Sequence, residues 1–234
     1  MFRLSILLFA VLVSAPSTFA QFGFGADFVS RYVFRGIDFG ESFSVQPYLE
    51  YSVPFENGSF TVGTWASYSI SADGSGANEH DLYVSASVGP ISFGVTDYYF
   101  PTGGVDVDFF LIEDNHVIEP FIGFDGVEGF PVSLYVYPIV VGDFDLNDDG
   151  DQNFSTYIEA SVPFSVEGVD LAVTLGVVPM ESGFYLTDDF SVINVSLTAA
   201  KEIPITEQFA LPVFVGYTLN PEIERTYLVF GVSL

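Results

Sequence analysis

Hydrophobic and polar residues alternate along most of this chain with a period of two. Residues 43–53 show the pattern most clearly, because their odd-numbered positions are apolar and their even-numbered positions are mostly polar. Successive side chains of a β-strand point to opposite faces, so the segment predicts a strand with one apolar and one polar face. Residues 81–89 and 225–234 repeat the pattern. Segments of about ten residues match the length of a tilted membrane-spanning strand.

Twelve such strand candidates follow one another along the chain. They cover residues 24–34, 43–53, 60–71, 81–89, 91–99, 117–125, 132–141, 154–162, 169–178, 191–200, 209–219 and 225–234. We expect the last strand to pair with the other end of the chain.

The connections between these strands alternate between short and long. Short turns are expected at 54–59, 89–90, 126–131 and 163–168, and longer loops at 72–80, 100–116, 142–153 and 179–190. Short periplasmic turns and long external loops are typical of an antiparallel transmembrane β-barrel, and an even strand number places both chain ends on the periplasmic side. A secreted soluble β-sandwich that binds a ligand also alternates and is the other fold considered. The long loop 100–116 predicts either a strand extension or an inward constriction.

The first twenty residues differ from the rest of the chain. One early positive charge, Arg3, precedes an apolar run at 4–13, and small residues flank a cleavage point after Ala20. These features predict a secretory signal peptide over residues 1–20, with the barrel occupying 21–234. The run is too short for a membrane-spanning anchor.

Composition supports an exported barrel with an unusual charge. Hydrophobic residues make up 49% of the chain, which has 26 Phe, 13 Tyr and no Cys. The net charge of −26 repels nucleic acid and attracts cations. A high-salt habitat and a selective role both explain this charge. The partners we expect are the bilayer of the bacterial outer membrane and small solutes or ions, with no nucleic acid.

The rare positive charges indicate a site in the lumen. Arg31 and Arg35 share a predicted strand face with Asp27, and Glu50 lies on the next strand. This ladder would either brace the interior or form a charged constriction. Trp65 also faces inward, where it would stack on sugars or pack the lumen.

An acidic loop carries a weaker signal for a metal. Asp145, Asn147, Asp149 and Asp151 have the spacing of the first half of a calcium-binding loop. Thr156 stands where a helix-flanked calcium loop needs a Glu, so we expect either a looser Ca²⁺ site or a solvated acidic loop. No other cofactor is expected.

Residues for catalysis are sparse. The chain has no Cys, and both histidines, His80 and His116, fall in predicted external loops without an adjacent Ser nucleophile and carboxylate. The sequence therefore predicts a protein that is not an enzyme.

Three short motifs carry a family resemblance. Tyr32-x-x-Arg35-Gly36, then Gln46, then Gly63-x-Trp65 match in order and spacing, and Tyr98-Tyr-Phe-Pro101 matches a further segment. Over residues 22–101 the chain resembles the TorF (Gcw_chp) family of bacterial porins. The resemblance implies an outer-membrane barrel with a channel function.

These patterns together predict one all-β domain, a single antiparallel transmembrane barrel of about twelve strands. Its expected function is passive diffusion of small hydrophilic solutes, with a preference for cations. The alternative is a closed outer-membrane barrel with a structural, receptor or adhesive role through its acidic external loops.

Overall fold

The computed structural model describes residues 20–71, 76, 78–101, 115–142, 144–147 and 149–234. The predicted signal peptide, except for Ala20, and most of the loop 100–116 lie outside the described residues. The described strands are β1 Gln21–Val29, β2 Tyr32–Phe34, β3 Ile37–Gly40, β4 Phe43–Phe55, β5 Gly58–Ile70, β6 Glu79–Val88, β7 Ile91–Tyr99, β8 His116–Phe124, β9 Ser133–Pro138, β10 Val141–Gly142, β11 Thr156–Val166, β12 Val169–Val178, β13 Ser191–Pro204, β14 Ala210–Asn220 and β15 Arg225–Ser233. No described helix is long and apolar enough to cross a membrane.

Twelve antiparallel strands close into a barrel, as the alternation predicts. Strands that are neighbours along the chain pair with each other from β4 to β9 and again from β11 to β15. The short strand β10 continues β9 and pairs with β8. The ring closes where β1 pairs with β15, with Phe28 opposite Val232. The predicted pairing of the last strand with the other end of the chain is therefore confirmed.

The two faces of the wall differ as the alternation requires. Outward residues are large and apolar, and Phe22 and Phe24 on β1 are 73% and 78% exposed. Inward residues include Gln46 and Ser44, which are buried on β4. An apolar outer surface and a polar interior are the arrangement of a barrel surrounded by lipid.

Short and long connections lie at opposite ends of the barrel, which we call the turn end and the loop end. At the turn end, two residues join β4 to β5, and two others join β11 to β12. Glu167 and Gly168 in the latter have φ of 50° and 75°, the pair of positive values that suits a tight hairpin. The loop end carries the connections from β5 to β6, from β7 to β8 and from β12 to β13.

The predicted first strand, 24–34, is wrong beyond residue 29. β1 ends at Val29, the chain bends at residues 30–31, and β2 and β3 form a separate two-stranded hairpin. We call residues 32–40 the inserted hairpin, because its side chains contact inward residues of the wall. Arg35 and Gly36 form its two-residue turn, with φ of 50° and 84°. Alternation continues from β1 into β2, so the pattern alone gives no break between them.

The most buried apolar residues lie in the loop half of the lumen, beside this hairpin. They are Val117, Ile139, Tyr157, Val178, Tyr185 and Ile193. Ile37 from the inserted hairpin packs against this cluster. The core of the protein therefore lies inside the barrel, between the hairpin and the wall.

Candidate functional site

Arg35, at the tip of the inserted hairpin, forms a buried ion pair with the wall. Its two terminal nitrogens donate to the Glu119 carboxylate of β8, at 2.6 and 2.9 Å. The Arg35 and Glu119 side chains are 8% and 2% exposed. Two parallel hydrogen bonds fix both planes, and this is the strongest geometry that a guanidinium and a carboxylate adopt.

Two tyrosine hydroxyls complete the hydrogen bonds of this pair. Tyr185, from the β12–β13 loop, accepts from Arg35 at 2.6 Å, and its hydroxyl lies 3.4 Å from Glu119 as a donor. Tyr98 on β7 donates to Glu119 at 3.0 Å. Burial raises the pKa of Tyr185, so its hydroxyl keeps the proton that it shares with Glu119.

Aromatic rings surround the guanidinium. Its central carbon lies 4.0 Å from the ring centre of Tyr137, 4.5 Å from that of Phe34 and 4.7 Å from that of Tyr157. Cations are attracted to ring faces within about 6 Å, more strongly when water is excluded. Arg35 is thus held by one carboxylate and three rings, which come from the hairpin, β9 and β11.

The backbone at the hairpin tip is seated as tightly as the Arg35 side chain. A Cβ added to Gly36 would stand 1.9 Å from the carbonyl oxygen of Ile193 on β13. Asn220 on β14 donates its amide to the Gly36 carbonyl at 3.0 Å. Gly36 is therefore required twice, by its positive φ and by its contact with the wall backbone.

A second anchor joins the hairpin to β5 and β6. The Tyr32 hydroxyl donates to Glu79 at 3.1 Å, and its ring centre is 5.4 Å from that of Trp65. Burial, then the nearby carboxylates of Glu79 and Asp81, raise the pKa of Tyr32 and keep it a donor. Trp65 packs against the hairpin, and its predicted role as a sugar-stacking surface or as lumen packing stays a prediction.

The predicted single ladder of charges is not formed, because the chain leaves the wall after Val29. Arg31, just before the inserted hairpin, pairs with Asp38 of that hairpin at 3.2 Å. Its guanidinium lies 5.6 Å from the Tyr227 ring centre. Glu50 accepts from Tyr83 at 3.2 Å rather than pairing with an arginine.

Asp27 remains on the wall, where its backbone is paired with Gln46 and Ser233. A constriction role for Asp27, Glu50 and the two arginines stays a prediction.

The inserted hairpin contacts the wall around most of the ring. Its partners on the wall are Trp65 and Glu79, Tyr98 and Glu119, Tyr137 and Tyr157, then Ile193 and Asn220. These residues lie on eight of the twelve barrel strands. The hairpin therefore occupies much of the cross-section of the lumen in its loop half.

A polar cavity of about 440 Å³ lies in the turn half of the lumen. Its lining is rich in hydroxyl groups and rings, from Ser59, Ser85, Ser87, Ser92, Thr96, Phe121, Tyr135 and Tyr137. The rings of Tyr135 and Tyr137 stack at 5.7 Å. Asp125 accepts hydrogen bonds from Ser92, at 2.6 Å, and from Tyr135. This half of the lumen is lined to contact water and small polar solutes.

The predicted calcium loop uses several of its oxygens internally. Asp145 is buried and accepts from the Gln152 side chain at 2.7 Å. Asn147 accepts from the backbone N–H groups of Asp149 and Asp151. Within the described residues no group of three or more His, Cys, Asp or Glu side chains is placed to hold a metal ion. Calcium binding by this loop stays a prediction.

The predicted position of both histidines in loops is wrong, and two acidic residues of the site were not predicted. His80 and His116 lie in β6 and β8 rather than in external loops, and His116 contacts Asp97 at 2.7 Å. Glu79 and Glu119 were not singled out, although both occupy inward positions of predicted or adjacent strands. An isolated acid on an inward face was the only signal available for them.

Comparison with known proteins identifies a family. The model of the Gcw_chp family, described as a bacterial protein of unknown function, matches residues 14–211. No curated protein matches the chain.

Proposed function

The chain belongs to the Gcw_chp family of bacterial proteins, and from this premise we propose that it is an outer-membrane channel for small hydrophilic solutes, narrowed by its inserted hairpin. Porin activity, as the resemblance to TorF porins implies, is part of this proposal. So are the outer-membrane location and export by a cleaved signal peptide. The apolar outer surface of a closed barrel supports the location.

One observation carries the channel proposal: the hairpin has a polar cavity on each side. The cavity of about 440 Å³ lies on the turn side. Another, of about 560 Å³, lies at the loop end and is lined partly by Arg31, Asp38 and Arg225. A barrel that served only as a scaffold would have no need of polar space on both sides of one inserted element. The hairpin is then the constriction between two vestibules.

The charge of the chain favours cations over anions in this channel. Glu50 faces the lumen on β4, and the whole chain carries a net charge of −26. Acidic groups around a pore raise the local concentration of cations, and this effect weakens as salt screens the charges. We therefore propose a modest cation preference that falls with ionic strength.

A closed barrel that acts at the cell surface is the second candidate. The inserted hairpin contacts the wall on eight strands, which favours an occluded resting state. In that case the acidic external loops would carry the function.

Single-channel recording in planar bilayers separates the two candidates. The detergent-refolded chain would be compared with a variant in which residues 31–41 are replaced by a Gly-Ser linker. We expect small steps from the wild type, larger steps from the variant, and a cation-leaning reversal potential in a salt gradient. If both chains fold as heat-modifiable barrels and neither conducts, the channel proposal fails.

A further inference from the structure

The buried charges in the loop half of the lumen do not balance. Arg35 is paired with Glu119, and Arg31 with Asp38. Glu79 and Asp81 on β6 are 1% and 6% exposed, and neither forms an ion pair within the described residues. Buried carboxylates without a compensating charge are costly, so something must neutralise this pair.

The geometry places both carboxylates at one spot. Residues two apart on a strand share a face, so the buried side chains of Glu79 and Asp81 are neighbours on the inward face of β6. Ser67 on β5 lies directly opposite Glu79 and is fully buried. Directly opposed side chains have Cβ atoms about 5 Å apart, so the Ser67 side chain is a neighbour of the carboxylate pair on the same face of the sheet.

Three oxygens at this spot have no hydrogen-bond partner among the residues that the structure describes. They are Oε2 of Glu79, Oδ1 of Asp81 and Oγ of Ser67. Buried polar atoms are nearly always satisfied, so three such oxygens on one buried face suit a bound polar ligand. Because all three are oxygens and two belong to carboxyl groups, the ligand they suit is a hard cation.

We propose that Glu79, Asp81 and Ser67 bind a divalent cation of the calcium or magnesium class. One such ion neutralises both carboxylates, and water supplies the remaining coordination positions, as is common for these ions. The other carboxylate oxygen of Glu79 accepts from Tyr32 of the inserted hairpin. The ion therefore fixes the Glu79 side chain that holds the hairpin against the wall, and its loss should loosen this anchor.

The chain contains its own reporter for this site. Trp65 is the only tryptophan in the sequence, and it lies directly opposite Asp81 across β5 and β6. Terbium is a luminescent substitute for calcium that an adjacent tryptophan sensitises. The test refolds the full chain in detergent without metal, adds terbium, and records emission on excitation of Trp65. Terbium present during refolding is the parallel arm, because the site is buried.

We expect saturable terbium emission that calcium or magnesium displaces. Glu79→Gln and Asp81→Asn should each weaken apparent terbium binding at least tenfold, and Ser67→Ala should weaken it less. Glu50→Gln is the matched control, because it removes a lumen acid on β4, two strands from β6, and leaves Trp65 in place. The double substitution of Asp149 and Asp151 by asparagine should not change the signal, which separates this site from the predicted calcium loop.

Two results would overturn the cation site. One is a correctly refolded barrel, with a shifted gel mobility when unheated, that gives no sensitised emission in either arm. The other is emission that survives both Glu79→Gln and Asp81→Asn in folded protein. If Trp65 fluorescence then responds to pH alone, the two carboxyls share a proton instead. None of these measurements records a current, so a negative result for the cation site is distinct from failure of the channel proposal.

Discussion

Replacing Arg35 with alanine should destabilise the folded barrel and open its lumen. The substitution leaves Glu119 buried at 2% exposure without its only ion-pair partner among the described residues. The two tyrosine donors, Tyr98 and Tyr185, remain but cannot supply the missing charge. The inserted hairpin also loses the contacts that its tip makes with two aromatic rings of the wall, those of Tyr137 and Tyr157.

The expected loss follows from burial and geometry. Removing one partner of a buried, hydrogen-bonded ion pair costs about 3–5 kcal/mol, because the other charge is left uncompensated. Alanine at φ of 50° keeps the left-handed backbone of Arg35, so no strain is relieved to offset this cost. The Arg35→Ala variant can avoid part of this loss of stability by releasing the hairpin, because water then reaches Glu119. In that case conductance rises, and the loss of stability is smaller.

Urea unfolding in detergent and single-channel recording would be applied to the same preparations. Glu119→Gln and the double variant complete a cycle, and we expect the second change to cost much less once the first is made. Lys201→Ala is the control, because Lys201 is exposed on β13, lines neither cavity of the proposed channel, and should change stability by about 0.5 kcal/mol or less. If Arg35→Ala matches this control in both urea midpoint and current, the ion pair does not hold the hairpin. Lowered stability with unchanged current would leave Arg35 a structural role only.

Two further predictions concern the hairpin tip and the acidic loop. Gly36→Ala should release the hairpin, because its Cβ would overlap the Ile193 carbonyl. Gly129→Ala is the control, since Gly129 has a similar φ of 85° and a Cβ there would have nothing within 4 Å. A lower urea midpoint for Gly36→Ala than for Gly129→Ala isolates the effect of the clash. Equal midpoints would show that the contact is not made. Burial raises the pKa of Asp145, so the folded state keeps that proton at a higher pH than the unfolded state does. The contribution of Asp145 to stability is present at low pH and is lost as pH rises through the raised pKa. Asp145→Asn should lack this part of the pH dependence of the urea midpoint. A pH profile identical to that of the wild type would contradict the prediction.

The barrel could be predicted from the sequence because its wall obeys two local rules. Side chains alternate with period two, and turn lengths alternate between the two ends. Both are properties of short segments, so residues 43–53 and 225–234 could be assigned without knowledge of their partners. The prediction of twelve strands depended only on repeating this reading along the chain.

The site could not be predicted in the same way, since its contacts join distant segments. Arg35 and Glu119 are 84 residues apart, and Tyr32 and Glu79 are 47 apart. The alternation of β1 continues through Tyr32 and Phe34, so it gives no sign that the chain has left the wall. The Arg35-Gly36 step was the available signal, because a glycine that follows a polar residue suits a two-residue hairpin turn.

The short signature of the family resemblance has a physical account in the inserted hairpin. Its tyrosine, Tyr32, binds β6; its arginine, Arg35, binds β8; and its glycine, Gly36, lies against β13. Trp65, from the third matched motif, packs on Tyr32. The spacing Tyr-x-x-Arg-Gly then matches the distance along the hairpin from Tyr32, which contacts Glu79, to the Arg35-Gly36 turn at the tip.

This account predicts a separation between two classes of variant. Strand pairing of the wall does not use the hairpin, because β2 and β3 form their own two-stranded sheet. Substitutions in the signature should therefore change conductance while the barrel keeps its β content and its heat-modifiable mobility. Substitutions that break strand pairing in the wall should reduce the conductance and the β content together. A signature variant that loses the barrel outright would mean that the hairpin is part of the folding core, and a separate role as a constriction would then have no structural basis.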